Sequence, residues 1–382
     1  MELSSSRSTR FRKLQIRALQ PTRVYIYQRI ALSEAEARVR AHTYLPLQNP
    51  RDHARSDPLV GWLNPRKISE VDMPRREATA IAQVFNAEIK AEVEANIARG
   101  GQRPQLVGFL ANDDSAAVMY ARWTAKACEA NGIAFELRRV DRVDLEAAVI
   151  TANVDPSVNG IIIYYPVFGG QIDDYLRDVI SVEKDVEGLN HRYRYALYHN
   201  IRTLGEIDGR FGAKKCVLPC TPLAVLKILE AVGAYDKSRS VGQQLSGRTA
   251  VVFNRSEVVG RPLAAMLAND GAAVYSIDVS GMLRYTAGSV PGTIKVEETS
   301  VAQEEALKQA DMVIAGVPSK AFVVKASSLK QGAIAVNFSQ HQNFEKGVEE
   351  TCTLVPAIGK VRLGNVGPTS NVAADVSTPR VL

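Results

Sequence analysis

The chain has 382 residues, 46% of them hydrophobic and 23% charged, which excludes a disordered or fibrous protein and suits one large or two ordinary α/β domains. No apolar run approaches the ~20 residues of a membrane span, so a soluble intracellular protein is expected. The four cysteines have neither the spacing of a metal site nor the density of a disulfide framework, so reduced thiols are expected. The net charge of +6 comes from residues 1–72, with 13 Lys/Arg against 7 Asp/Glu, and because the remainder carries 34 of each, no nucleic-acid face is expected.

Residues 1–72 differ in composition from the rest of the chain. They are rich in Arg with scattered Pro, and Glu2 is the only acidic residue before Glu34. Three interpretations stay open: a disordered tail, a mitochondrial presequence, or translated sequence upstream of a start at Met73. We expect folding and activity to survive the removal of this extension.

From Ala78 a helical pattern runs to about Ile97. Its apolar face is predicted to contain Ile81, Val84, Phe85, Ile89 and Val93. Strand-like and helical segments then alternate, with strands in QLVGFLA, FELRRV and NGIIIYYPVF and helices near 116–131 and 145–153. This alternation predicts a parallel sheet covered by helices.

A second alternation follows a loop-rich middle. Pro222 opens a helix in PCTPLAVLKILEAVG, where a missing N–H in the first turn costs nothing. Residues 245–340 contain the strand-like runs TAVVFN, AAVYSIDV, DMVIAGV and AIAVNFS, with helices after the first two. The predicted fold is α/β, with two α/β lobes and a cleft between them. The predicted boundaries are an extension at 1–72, lobes at 73–220 and 221–361, and a tail at 362–382.

The turn after TAVVFN predicts a dinucleotide site. A strand, a turn and a helix leave free backbone N–H groups and a positive dipole end, which attract a pyrophosphate. Gly260 allows close packing of the helix, Asn254 tolerates a left-handed backbone, and Arg255 and Ser256 can donate to phosphate oxygens. An ordinary turn between a strand and a helix is the alternative interpretation.

Asp278 closes the second strand of this unit, where dinucleotide sites hold the adenosine ribose with an acidic residue. A carboxylate there accepts hydrogen bonds from both ribose hydroxyls of NAD. It also repels the 2′-phosphate of NADP by roughly 1 to 4 kcal/mol at ~4 Å. The sequence therefore predicts NAD as the coenzyme.

Four motifs follow one another from about Ala78 to Val361: GIIIYYP, EKDVEGLN, LPCTP and NRSEVVGRP. They resemble the G-I-x-V-Q-L-P, K-D-V-D-G, I-P-C-T-P and G-R-S-x-x-V-G-x-P motifs of the methylenetetrahydrofolate dehydrogenase family, above all its fungal monofunctional NAD-dependent branch. The resemblance implies a folate-binding catalytic lobe followed by a Rossmann-type NAD-binding lobe. It also implies oxidation of 5,10-methylenetetrahydrofolate to 5,10-methenyltetrahydrofolate, in one-carbon metabolism that supplies purine synthesis.

The resemblance assigns site residues in the first lobe. Tyr120 and Glu187 are implied as catalytic, the tyrosine leaning on the substrate rings and the glutamate reading the pterin, with Asp185 as a second candidate for that task. The implied substrate-binding residues are Tyr120, Tyr164, Asp185, Glu187, Pro219, Cys220 and Thr221. No metal is expected.

The resemblance also assigns the cofactor residues. Val279 stands where NADP-using relatives place a serine for the 2′-phosphate, and AGVPS is implied to cover the nicotinamide ribose. Arg255 is expected to serve the pyrophosphate or to pair with Asp278. The implied cofactor-binding residues are Asn254, Arg255, Ser256, Val259, Gly260, Asp278, Val279, Gly316, Val317 and Pro318.

Two substitutions argue against a second, cyclohydrolase activity. Bifunctional relatives carry Y-x-x-x-K, and here Tyr120 is followed by Thr124 in place of the lysine. Lys126 lies about 200° further round the helix, and Tyr164 replaces a helping glutamine. Loss of a positioned proton-transfer group typically lowers the rate about 10²- to 10⁴-fold.

Three alternative functions stay open. They are a bifunctional enzyme, a catalytically silent folate- or nucleotide-binding relative, and another Rossmann dehydrogenase acting on an amino or hydroxy acid.

The C-terminal tail departs from the family pattern. Relatives continue with a long apolar helix, whereas this chain ends RLGNVGPTSNVAADVSTPRVL. The silent alternative is motivated by this tail. By resemblance we expect a homodimer built on the cofactor lobe and a cytoplasmic location, or a mitochondrial one if residues 1–72 act as a presequence.

Overall fold

The computed structural model describes residues 78–208, 215–290 and 292–356. The predicted extension at 1–72, the start at Met73 and the tail at 362–382 lie outside these residues. Over the described ranges, no helix combines the length and the apolar composition that a membrane span needs.

The first lobe is built on a three-stranded parallel sheet, as the alternation predicted. Its strands, in the order β2-β1-β3, are β1 (Gln105–Leu110), β2 (Ala134–Arg139) and β3 (Gly160–Ile163). Its helices are α1 (Ala78–Ala98), α2 (Ser115–Ala130), α3 (Leu145–Val154) and α4 (Gly170–Val179). β1 and β3 are buried along almost their whole length, because helices cover both faces of the sheet.

The predicted face of α1 is correct except at one position. Ile89 and Val93 are buried, and Ile81 and Phe85 pack partly buried against the core. Val84 is 46% exposed, so its placement on this face was wrong. At 100° per residue it lies on the side of the helix opposite Ile89 and Val93.

Three helices link the lobes: α5 (His191–Tyr198), α6 (Gly205–Asp208) and α7 (Cys220–Ala231). The predicted boundary at 220/221 falls at the start of α7, whose apolar residues belong to the core of the second sheet. The Tyr198 hydroxyl of α5 donates to the Glu257 carboxylate at 3.0 Å, which joins α5 to the turn before the first helix of the second lobe.

The second lobe contains a seven-stranded sheet with strand order β10-β9-β8-β4-β5-β6-β7. Its strands are β4 (Thr249–Phe253), β5 (Ala273–Asp278), β6 (Gly281–Ala287), β7 (Ile294–Glu298), β8 (Met312–Ala315), β9 (Ile334–Asn337) and β10 (Thr353–Val355). Its helices are α8 (Gly260–Asn269) and α9 (Gln303–Gln309), with short 3₁₀ turns at Ala326–Ser328 and Val348–Glu350.

The predicted alternation missed β6 and β7, which run antiparallel at one edge of this otherwise parallel sheet. β5 turns back after Asp278 into β6 instead of leading to a helix. Only Tyr285 of β6 and no residue of β7 is buried, so the two strands lack the continuous apolar run that marked the buried strands.

Three parallel strands end at one edge of the second sheet. In the sheet register, Phe253 of β4 lies beside Ile277 of β5 and Ala315 of β8. The turns that follow these strands therefore open at the same edge, which is where ligands bind in such sheets. Eight of the ten residues of α8 are buried, so the first helix after this edge is rigidly placed.

Candidate active site

Tyr120 of α2 and Tyr164, the residue directly after β3, meet in the first lobe. Their ring centroids lie 5.4 Å apart, with the planes at 87°, a favourable edge-to-face pair. Tyr164 is 1% exposed, and burial raises the pKa of its hydroxyl well above the ordinary value. Tyr120 is half-buried and so lies at the surface of the pair.

Thr124, which the resemblance matches to the lysine of bifunctional relatives, is only 1% exposed. Its hydroxyl donates to the Tyr120 carbonyl one turn earlier at 3.0 Å. Lys126 points elsewhere: it is exposed, and its ammonium lies 5.4 Å from the centroid of the Trp123 ring. No lysine of α2 therefore reaches the Tyr120–Tyr164 pair.

The loop that carries Glu187 is held by Asp185. The buried Asp185 carboxylate accepts from the backbone N–H groups of Glu187, Gly188 and Asn190 at 2.9, 2.9 and 2.8 Å. Gly188 has φ +66°, and a Cβ there would lie 2.7 Å from the Val217 carbonyl oxygen. Asp185 thus shapes the loop that carries Glu187.

Glu187 is half-buried in this loop. Burial and, to a smaller extent, the neighbouring Asp185 carboxylate raise its pKa to about 8, while Arg177 of α4 acts in the opposite direction. Arg177 forms an ion pair with Asp174, and its guanidinium carbon lies 4.9 Å from the centroid of the Tyr165 ring. The sequence reasoning missed Arg177, which looks like a surface charge on an amphipathic helix.

The LPCTP segment forms the wall beside this loop. The Cys220 thiol donates to the Val186 carbonyl at 3.6 Å, and burial, with the Glu187 and Asp185 carboxyls, raises its pKa well above the ordinary value. Pro219 is buried and Thr221 half-buried. The two predicted motifs of the folate site therefore meet in the fold.

The turn after β4, named here the glycine cradle, packs closely against the start of α8 at Gly260. A Cβ at Gly260 would lie 2.0 Å from the Asn254 carbonyl oxygen, so only glycine fits where the start of α8 meets this turn. The Asn254 amide donates to the Gly316 carbonyl at 3.1 Å, and its oxygen accepts from the Ser256 hydroxyl at 2.7 Å. That hydroxyl oxygen accepts from the Val259 N–H at 3.2 Å.

Asn254 does not use the left-handed backbone that its residue type tolerates. Asn200 is the only non-glycine residue of the described ranges with positive φ. Asn254 contributes its side chain instead, because its amide joins the turn after β4 to the turn after β8.

Arg255 and Asp278 do not pair in the described chain, contrary to one of the expectations for Arg255. The Arg255 guanidinium donates to the carbonyls of Ser276 and Gly281 at 2.7 and 2.6 Å and to the Ser280 hydroxyl at 3.0 Å. Within the described residues, the Asp278 carboxylate accepts only from the N–H of the adjoining, exposed Val279. It is therefore open to a ligand.

The third turn, with Gly316, Val317 and Pro318, is fixed by residues that the sequence did not single out. The fully buried Asn343 accepts from the Val317 N–H at 2.9 Å and donates to the Ser319 and Phe322 carbonyls at 3.4 and 3.3 Å. The Ser339 hydroxyl donates to the Val317 carbonyl at 2.8 Å. The polar run NFSQHQN directly after a buried strand was the available signal.

The residues at this edge fit a dinucleotide. The glycine cradle lets a phosphate approach the backbone at the start of α8, and the unpaired Asp278 carboxylate lies at the strand end that meets an adenosine ribose. The Asn254–Gly316 hydrogen bond fixes the distance between the turns on either side of the coenzyme.

Comparison with known proteins gives matches along both lobes. Residues 77–187 match the family described as "Tetrahydrofolate dehydrogenase/cyclohydrolase, catalytic domain", and residues 219–368 match the NAD(P)-binding domain of the same description. The methylenetetrahydrofolate dehydrogenase (NAD(+)) of Dictyostelium discoideum is 49% identical over 298 residues, which are 78% of this chain and 93% of the relative. The Saccharomyces cerevisiae protein of the same name is 47% identical over 75% of this chain and 91% of its own.

Solved structures agree with this arrangement of two lobes. The NAD-dependent 5,10-methylenetetrahydrofolate dehydrogenase from Saccharomyces cerevisiae superposes with a TM-score of 0.71 at 44% identity, covering 78% of this chain and 96% of that one. The bifunctional FolD enzyme from Campylobacter jejuni superposes with a TM-score of 0.60 at 23% identity, covering 78% and 98%, which shows a shared fold.

Proposed function

The chain belongs to the tetrahydrofolate dehydrogenase/cyclohydrolase family, and on that premise we propose that it oxidises 5,10-methylenetetrahydrofolate to 5,10-methenyltetrahydrofolate with NAD. The observation that carries this proposal is the Asp278 carboxylate, which stands unpaired at the ligand-binding edge of the second sheet. The glycine cradle at Gly260 supports it from the other side of the same edge.

The chemistry asks the protein to position two molecules. When bound, NAD accepts a hydride from the one-carbon bridge of the folate. The folate nitrogens stabilise the resulting cation, so no side-chain base is required. Alignment of the reacting carbons lowers the activation free energy by roughly several kcal/mol.

The chain's own residues divide this work. The exposed face of Tyr120 packs against the substrate rings, and the Glu187 carboxyl meets the pterin N–H donors. Asp185 and Gly188 hold Glu187 in place. Asn254 and Asn343 fix the turns that position the coenzyme.

An absorbance assay for NADH at saturating methylenetetrahydrofolate tests this function. The purified chain is expected to reduce NAD at least tenfold more efficiently than NADP, the ratio that one unfavourable carboxylate–phosphate contact of about 1.4 kcal/mol gives. No NADH production, with NAD binding retained by calorimetry, would instead support a catalytically silent relative.

We propose that cyclohydrolase activity is absent. Thr124 is buried and bonded to the Tyr120 carbonyl, and Lys126 lies against Trp123 on the outer face of α2. No lysine of this helix can therefore serve proton transfer at the folate. Hydrolysis of 5,10-methenyltetrahydrofolate should proceed at the same rate with and without the protein, and a protein-dependent rate would overturn this proposal.

We propose a homodimer built on the cofactor lobe. β7 is the last strand of the seven-stranded sheet, and among the described residues only β6 pairs with it. Such an edge strand offers backbone N–H and C=O groups for pairing with the edge strand of a second copy, and its Val296 side chain is 46% exposed. Light scattering at micromolar concentration should give twice the mass of one chain, and Val296→Lys should lower it to one. A monomeric mass for the unmodified chain would contradict the proposal.

We also propose a cytoplasmic location and a role in one-carbon supply to purine synthesis, both on the strength of the family resemblance. Residues 1–72, fused to a fluorescent protein, should give a diffuse signal. A mitochondrial signal would favour the presequence interpretation. A purine requirement in cells that lack the gene tests the metabolic role.

A further inference from the structure

Arg255 is bound to the protein rather than directed at a ligand. Three of its donor contacts go to Ser276 and Gly281 carbonyls and to the Ser280 hydroxyl, at 2.6 to 3.0 Å. Ser276 belongs to β5 and Gly281 to β6, so one guanidinium bonds to both strands of the hairpin. A planar fork of fixed donors suits such a span, which a lysine ammonium cannot reproduce.

This hairpin presents Asp278. In the sheet register Asp278 lies opposite Gly281, and only Val279 and Ser280 separate them. Both turn residues are exposed, so side-chain packing does not fix the Asp278 carboxylate. The hydrogen bonds from Arg255, which follows the neighbouring strand β4, tie the hairpin to the cofactor turn instead.

We propose that Arg255 determines coenzyme specificity through Asp278: it holds the β5–β6 hairpin so that the carboxylate meets the ribose, and this bonding keeps the guanidinium away from a 2′-phosphate. An arginine near the ribose is the usual means of accommodating the 2′-phosphate of NADP. The direction of the guanidinium therefore decides whether this arginine favours NADP or NAD. This inference rests on the proposed NAD-dependent function and assigns Arg255 a positioning role in it.

Arg255→Lys separates the possible roles, because it keeps the charge and removes the fork. Affinities for NAD and NADP are measured by titration calorimetry, beside kcat/KM for each. We expect NAD affinity to fall about tenfold, as the loss of one or two hydrogen bonds predicts, while NADP affinity stays the same or rises, because a displaced Asp278 carboxylate repels the 2′-phosphate less. Equal losses of affinity for both coenzymes would indicate that Arg255 binds the pyrophosphate. An unchanged or larger ratio of NAD affinity to NADP affinity would indicate that it binds the 2′-phosphate. Either result overturns the proposal.

A double-mutant cycle tests the route through Asp278. In an Asp278→Asn background, Arg255→Lys should leave the NAD/NADP affinity ratio unchanged, because the group it positions is gone. A further fall in the ratio would contradict the proposal. Ser280→Ala removes one of the three contacts of Arg255 and should lower the NAD/NADP affinity ratio by a smaller factor than Arg255→Lys does. It therefore tests the proposal even if Arg255→Lys folds poorly.

Arg248→Lys is the matched control. Arg248 precedes the same strand at its other end and faces Asp311 at 3.6 Å, so the identical substitution there should leave both affinities unchanged. The calorimetric ratio does not depend on turnover. Absent NADH production by the unmodified chain would therefore reject the proposed function, whereas an unaltered ratio in Arg255→Lys would reject only this inference.

Discussion

Tyr120 and Tyr164 stand edge to face, with ring centroids 5.4 Å apart and one ring buried beneath the other. The buried Tyr164 supports the ring of Tyr120, which is the more exposed ring of the pair. By the family resemblance Tyr164 corresponds to a glutamine of bifunctional relatives, so this chain is expected to have an aromatic support in place of a polar one. The pair is thus suited to holding flat rings rather than to moving protons.

Substitution of Tyr120 should therefore affect substrate binding through its ring. Tyr120→Ala should raise KM for methylenetetrahydrofolate about tenfold, the effect of losing one aromatic contact of about 0.5 to 1.5 kcal/mol together with buried ring area. Tyr120→Phe should retain most of the affinity. Tyr195→Ala, at a 48% exposed tyrosine that stacks on His199, is the control and should leave KM unchanged. Equal effects of Ala and Phe would contradict a role for the ring.

Thr124→Lys should destabilise the protein without creating cyclohydrolase activity. Thr124 is 1% exposed beneath the tyrosine pair, and an ammonium there lacks both water and the glutamine that relatives provide. We expect a loss of about 2 to 4 kcal/mol in the free energy of unfolding, measured by urea denaturation. Thr124→Met, of similar length and uncharged, is the control and should cost less. Rapid hydrolysis of methenyltetrahydrofolate by the lysine variant would show that charge alone was missing.

Sequence patterns predicted the two sheets, because buried parallel strands such as β3 and β8 are continuous apolar runs. They did not predict β6 and β7, because the runs GMLRYTA and IKVEE mix apolar with polar or charged residues and only Tyr285 among them is buried. The positions of Glu187 and Asp278 followed from motifs. The partners of Arg255 did not, since they lie 21 to 26 residues further along the chain and meet it only in the fold.

The raised pKa of Glu187 makes stability pH-dependent in a defined direction. Its folded value is about 8, against about 4.3 for an unperturbed glutamate. The folded state therefore holds this proton more tightly than the unfolded state, so the stabilisation is complete below about pH 4 and is lost as the pH rises through 8. Glu187→Gln, which stays neutral, should unfold at a higher temperature than the unmodified chain at pH 8.5 and at a similar one at pH 4. A difference that did not vary with pH would contradict this origin.

Arg177 should set the pH at which Glu187 ionises. The groups that face Glu187 are Asp185 of its own loop, Tyr164 and Tyr165 after β3, Arg177 of α4 and Cys220 of α7. Arg177 is the only cation among them and lowers the pKa of Glu187. In Arg177→Gln, the pH at which KM for the folate improves should move upward from about 8. Arg139→Gln, at an exposed arginine of β2, should leave the profile in place.

Asn343 should be essential for the turn that follows β8, with Gly316, Val317 and Pro318. Asn343→Ala leaves the Val317 N–H and the Ser319 and Phe322 carbonyls without their partner, at a cost of about 1 to 3 kcal/mol for each group that remains buried. We expect lower stability and a higher KM for NAD. Asn131→Ala is the matched control, because Asn131 is 3% exposed and bonds to the Ala127 carbonyl within the first lobe. Asn131→Ala should lower stability without changing KM for NAD. A similar rise in KM for NAD in Asn131→Ala and Asn343→Ala would indicate a general loss of structure.

Asp278 should be the main source of discrimination against NADP. Its carboxylate is unpaired at the end of β5, and at ~4 Å it would repel a 2′-phosphate by roughly 1 to 4 kcal/mol. Asp278→Ser combined with Val279→Ser removes that charge and supplies two hydroxyl donors on an exposed turn, where Val279 is fully accessible to solvent. The ratio of kcat/KM for NAD over NADP should fall at least tenfold, with kcat/KM for NAD falling because the ribose loses its acceptor. Asp311→Ser, at the opposite end of the sheet beside Lys330, removes the same charge far from the ribose and should leave the ratio unchanged. An unaltered ratio in the double variant would place the adenosine ribose away from Asp278.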